Sequence, residues 1–74
     1  MESDDDMIRY INTYNLKEVV REYKFSMNIL ENYIIPHPMD NDYDDVNANM
    51  ILVYQPHLEK EKVIQLFKQK YLTS

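Results

Sequence analysis

The chain contains no cysteine, no glycine and no tryptophan, and proline occurs three times. Without cysteine there is no disulfide and no thiolate ligand, and nothing reports a redox compartment. His37 and His57, the only histidines, cannot complete a structural zinc site alone. They are read as loop histidines beside Pro38 and Pro56. Without glycine no glycine-rich loop can cradle a phosphate. Ser3, Ser26 and Ser74 have no base with an orienting acid suggested near them, so no nucleophile is activated. The chain is therefore read as non-enzymatic, with no cofactor and no metal.

Long apolar runs are also missing, and none approaches the roughly 18 residues a membrane span needs. The N-terminus carries acids where a signal peptide needs lysine or arginine. A soluble, cytoplasmic protein with no membrane partner is the expectation.

What remains is 74 residues and 9.0 kDa, enough for one small domain. A chain this short buries only about 60% of its unfolded surface. Its core supplies about 3–5 kcal/mol, so docking or oligomerisation is the remaining staple. Acids outnumber bases 13 to 8, for a net charge of −5. Two clusters hold the excess: Glu2, Asp4, Asp5 and Asp6 in a leader over residues 1–6, and Asp40, Asp42, Asp44 and Asp45 in the middle. The body between them is mildly basic, so a local basic face is compatible with the acidic total. Phe, Tyr, Met, Ile, Asn and Lys make up nearly half the chain, while Ala occurs once and Arg twice. AT-rich codons produce this bias, as in many phages, low-GC bacteria, large DNA viruses and protists.

Residues 7–74 are read as a single domain. Met7, Ile8, Ile11 and Tyr14 recur at helical spacing, giving a first helix from Asp6 to Thr13 or Tyr14. Asn15 can cap a second helix over 16–23, with Glu18 completing a capping box. Leu16, Val19, Val20 and Tyr23 form its buried face. Ser26 caps a third helix from Met27 to about Ile34, which Pro36 and Pro38 stop. Residues 36–49 make an acidic exposed loop. The run 50–55 suits a buried strand ending at Pro56 and paired with 34–37 as a small hairpin. Helix is the alternative there, because Val46, Met50, Ile51 and Tyr54 also stand at helical spacing behind Asp45. Pro56 would open a closing helix over 57–72, with Leu58, Val63, Ile64, Phe67, Tyr71 and Leu72 as its apolar stripe. Tyr10, Tyr14, Tyr23, Tyr33 and Tyr71 fall on faces that look buried.

Val19, Tyr23, Phe25, Leu30 and Tyr33 stand where a helix-turn-helix unit buries its apolar residues. Residues 15–35 thus resemble the helix-turn-helix of small transcription regulators and phage proteins. With a hairpin and a closing helix, the chain would resemble the winged variant. The expected fold class is mainly α, a small helix-turn-helix-like helical domain with a long C-terminal amphipathic helix. Two positions depart from the pattern. Lys24 stands where the turn usually carries glycine, so it must take positive φ or change the turn. Val20 stands where a small residue usually lets the helices approach.

In DNA-reading members the third helix enters the major groove. The resemblance assigns that role to Asn28 and Asn32, with Lys17, Arg21 and Lys24 against phosphates. The third helix itself offers Ser26, Met27, Asn28, Glu31 and Asn32 and no base. That absence favours a protein partner over a groove.

Asp40, Asp42 and Asp44 match the first positions of a calcium loop. Asp45 replaces its glycine, however, and Ile51 its bidentate glutamate, so a solvated acidic loop is the better description. The functional expectation is a small regulatory interaction protein, an inhibitor or adaptor of phage or viral type. It would bind a protein with a basic surface through Asp40, Asp42, Asp44 and Asp45, together with Met27, Asn28, Glu31 and Asn32. The alternative is a DNA-binding regulator of the helix-turn-helix kind, acting as a homodimer.

Overall fold

Ser3 starts the first helix, its hydroxyl accepting from the Asp6 amide at 3.2 Å. In the computed structural model, which describes residues 1–73, helix α1 spans Asp4–Thr13. Asp4, Asp5 and Asp6 therefore form its first turn, where the macrodipole favours negative charge, and are not a separate tail. Met7 and Ile11, one turn apart, are its buried residues.

Helix α2 spans Leu16–Glu22 and buries Leu16, Val19 and Val20. Asn15 makes no capping bond with its side chain, contrary to the capping box expected there. The Leu16 amide instead donates to Asp44, 28 residues away, at 2.8 Å. The Lys17 amide donates to the Tyr43 carbonyl at 3.1 Å, so a distant loop satisfies the first two donors of α2.

The chain leaves α2 at Tyr23 in an extended conformation (φ −125°, ψ 144°), and no described residue has positive φ. Lys24 thus avoids the left-handed region through a change of turn. The connection 23–26 is extended, and α2 packs chiefly on α1 and α4 while α3 packs on α1. Buried Val20 is accommodated because α2 and α3 are not each other's main neighbours.

Ser26 caps α3 as its sequence suggested, accepting from the Ile29 amide at 3.4 Å. Helix α3 (Met27–Ile29) runs directly into a π-helical segment, Leu30–Ile34, closed by Ile35 N–H to the Leu30 carbonyl at 2.9 Å. Leu30 and Ile34, four residues apart in this segment, are both fully buried. Pro36 follows the stop, and the Lys70 ammonium gathers the freed carbonyls of Ile35 and His37.

The expected strand is not formed. Residues 50–55 belong to α4 (Ala48–Tyr54) and its C-cap Gln55; Asn47, rather than Asp45, caps the helix, accepting from the Met50 amide at 2.8 Å. The proposed strand partner, 34–37, is the end of the π segment and a turn, so no ladder is available and the hairpin and wing do not form. An unpaired strand would leave its amides unsatisfied, and the helix satisfies them internally.

Pro56 and His57 lie in a turn rather than in the last helix, and Leu58 N–H donates to the Gln55 carbonyl at 3.1 Å. That turn drops Leu58 into the core before α5 starts at Lys60 and runs to Thr73. Val63 and Phe67 are buried, but Tyr71 is 59% exposed and Leu72 85%, so the expected stripe outruns the body it covers. Tyr14 and Tyr33 are likewise exposed, while Tyr10 and Tyr23 are half-buried and stacked at 4.4 Å.

One core gathers Met7, Ile11, Leu16, Val19, Val20, Phe25, Ile29, Leu30, Ile34, Val46, Ile51, Leu58, Val63 and Phe67. The fold is mainly helical, and no strand occurs among the described residues. No described helix is long and apolar enough to cross a membrane.

Candidate functional site

The acidic loop is built from Asn41 outward. Its side-chain oxygen accepts from the amides of Tyr43 at 2.9 Å and Asp44 at 3.1 Å, an Asx turn that needs no glycine. Its amide nitrogen donates to the Asp44 carboxylate at 2.9 Å. The other Asp44 oxygen holds Leu16 N–H, and the Tyr43 carbonyl holds Lys17 N–H at 3.1 Å. Two of the unpaired donors at the start of α2 are therefore satisfied by the loop. Val46, fully buried, anchors the far side. The loop is fastened at both ends and presents a fixed outer face.

Asp40, Asp42 and Asp45 are exposed, as is Tyr43 at 67%, and Asp40 and Asp45 line an open pocket with Lys70 and Tyr71 of α5. Asp44 is different, being only partly exposed and fully engaged. The Leu16 amide and then the Asn41 amide hold its carboxyl below the usual range, against the opposing effect of burial, with the charge of His37 a still smaller help. Its depressed pKa means that its contribution to stability is present above about pH 4 and fades as pH falls through the folded value. Asp44→Ala should cost about 1 kcal/mol, the ordinary size of a lost cap. In urea titrations at neutral pH and near pH 2, the gap between wild type and variant should close on acidification. A pH-independent gap would show that the charge plays no part.

The polar face of α3 and the π segment is tied within the chain. Asn28 donates to Asp4 at 2.9 Å and accepts from Asn32 at 2.6 Å, while Glu31 pairs with Lys62 of α5 at 2.7 Å. Met27 is half-buried against the core. The Glu31 pair raises the Lys62 pKa, first through the hydrogen bond and then through charge. Lys24 is exposed in the connection, with its carbonyl held by Glu2 N–H at 3.2 Å.

The sequence-derived residues therefore fall into separate places. Asn28, Glu31 and Asn32 lie by the start of α1, through Asp4, whereas the loop meets the start of α2. The two acidic clusters sit toward opposite ends of α1, whose ten residues span about 15 Å. Lys17 and Arg21 line an open groove where α2 meets α4, bordering the loop at Lys17, with Asn47, Met50, Val53 and Tyr54 opposite. Val53 is 62% exposed and Tyr54 48%.

Two features escaped sequence reasoning, this groove and the buried side chain of Gln55. Gln55 Nε2 donates to the carbonyls of Val20 at 2.7 Å and Tyr23 at 2.6 Å, and its Oε1 accepts from Phe25 N–H at 3.3 Å. His57 Nε2 meets the Phe25 carbonyl at 2.6 Å. The available signal was phase: Gln55 follows Ile51 by one helical turn and so shares its buried face.

Among the described residues no group of three or more His, Cys, Asp or Glu side chains is placed to hold a metal ion. Compared with known proteins, the chain matches no family model, no curated protein and no solved structure.

Proposed function

We propose that this chain is a small, non-enzymatic docking protein that meets a protein with a basic surface through the acidic loop over residues 40–45. One observation carries the reading. Asp40, Asp42, Tyr43 and Asp45 are all exposed on one loop whose backbone is already fixed to α2. A prefixed loop loses little conformational entropy on binding. Three carboxylates would steer a cationic surface, and a tyrosine adds rigid contact area. Asp44 belongs to the scaffold of this site, not to its contact face.

An arginine-rich peptide titrated into dilute labelled protein tests the reading by amide shift changes. The largest changes should fall on Asp40, Asp42, Tyr43 and Asp45, and should vanish in the variant Asp40→Asn, Asp42→Asn, Asp45→Asn. Equal changes at Asp4, Asp5 and Asp6 would reduce the effect to general charge and sink the proposal. A helix-turn-helix DNA-binding regulator acting as a dimer is the second reading, favoured by Lys17 and Arg21 having no ion-pair partner among the described contacts. Duplex DNA in the same titration would support it through steeply salt-dependent shifts at Lys17, Arg21, Lys24, Asn28 and Asn32.

A further inference from the structure

We infer that the basic surface met by the acidic loop is the α2–α4 groove of a second copy of this chain. The inference rests on the loop being a docking element and names its partner. Lys17 and Arg21 stand one turn apart on the same side of α2, and neither is paired with a carboxylate among the described contacts. Glu18 lies one turn before Arg21, but among the described contacts neither Glu18 nor Glu22 forms an ion pair with Lys17 or Arg21. In a chain of net charge −5, two adjacent unpaired cations form a local exception.

The opposite wall is apolar and aromatic, with Met50, Val53 and Tyr54 open to solvent or half-buried. Methionine and aromatic residues of this kind are enriched at protein contacts. The complementary ligand is a short acidic segment bearing an aromatic ring. Residues 40–45 have that composition, with Tyr43 among three exposed aspartates.

Loop and groove also share a border. The Tyr43 carbonyl is bonded to Lys17 N–H, and Asn47 both ends the loop and lines the groove. The loop is pinned there, and Asp40, Asp42 and Asp45 form no ion pair with Lys17 or Arg21 of their own chain. A two-fold axis near that border exchanges loop and groove, so each copy inserts Tyr43 beside the other's Tyr54 and sets its aspartates on Lys17 and Arg21. Such a contact is isologous and closes as a dimer.

Sedimentation equilibrium over a concentration series reaching the millimolar range tests this, with charge reversal on each side. Wild type should self-associate. The variants Lys17→Glu, Arg21→Glu and Asp40→Lys, Asp42→Lys, Asp45→Lys should each stay monomeric, and their mixture should associate again. Thermal unfolding of each variant checks that these surface changes leave the fold intact. Recovery in the mixture cannot arise from unfolded chains. A wild type that stays monomeric throughout, while the arginine-rich peptide still shifts the loop, overturns this inference and leaves the docking reading standing. A monomer whose loop ignores that peptide overturns both. Self-association unmoved by either variant places the contact on another face. A monomeric wild type whose groove residues shift with a synthetic peptide of residues 39–46 assigns the groove to a foreign acidic segment.

Discussion

Replacing Gln55 by leucine is expected to destabilise the chain by about 3 kcal/mol, most of what a core this small supplies. Volume changes little, so the cost comes from hydrogen bonds. The Val20 and Tyr23 carbonyls lose their common donor, and Phe25 N–H loses its acceptor. Each buried group left unmatched costs about 1–3 kcal/mol, less where water can reach it, as beside half-buried Tyr23. Gln55→Glu separates the two halves of the interaction. It keeps an acceptor for Phe25 N–H but sets a carboxylate against two carbonyl oxygens. Burial and that repulsion raise the folded pKa of the new acid above its unfolded value. The glutamate variant should therefore be most stable at low pH and lose stability as pH rises through that value, opposite in sign to Asp44. Urea unfolding at pH 4 and pH 7 reads both variants. A leucine variant within 1 kcal/mol of wild type would show that the clamp does not hold the turn.

Much of the scaffold was legible because its signals are local. Ser26 caps the helix that follows it, and Pro36 comes directly after the π segment and its cap. Where a distant group intervened, local signals misled. Asn15 has the right chemistry for a cap, but the Lys17 amide goes to the Tyr43 carbonyl and the Leu16 amide to Asp44, both far away in sequence. The short apolar run at 50–55 suits strand and helix equally until its polar member is placed. Once Gln55 is read in phase with Ile51, helix becomes the consistent choice. Periodicity in α5 continues to Leu72, but a repeat in sequence does not say where the body under it ends. At the candidate site, the carboxylates were legible singly. That Asp44 is structural while Asp40, Asp42 and Asp45 face outward depends on a turn made by Asn41 and a helix start elsewhere. Lys17 and Arg21 were assigned together with Asn28 and Asn32, yet they line a groove with α4 while the two asparagines bond toward Asp4.

Phe25→Ala should cost about 3–5 kcal/mol and abolish cooperative unfolding at room temperature. Its ring is fully buried although the residue lies in the extended connection between α2 and α3, on no helix. Alanine removes that anchor and leaves a cavity among core side chains. It also frees a backbone whose amide bonds Gln55 and whose carbonyl meets His57. Ring and clamp therefore hold one segment from two sides, so their losses should not add. In a double-mutant cycle with Gln55→Leu, the coupling should lie at about 0.5–3 kcal/mol, because once either hold is gone the other restrains less. If the double variant is too unstable to measure, Phe25→Leu provides a milder first leg. Additive losses would mean that ring and clamp act on separate parts of the fold. Coupled losses would make this turn part of the core, which explains how a chain without glycine connects α2 to α3 with no residue at positive φ.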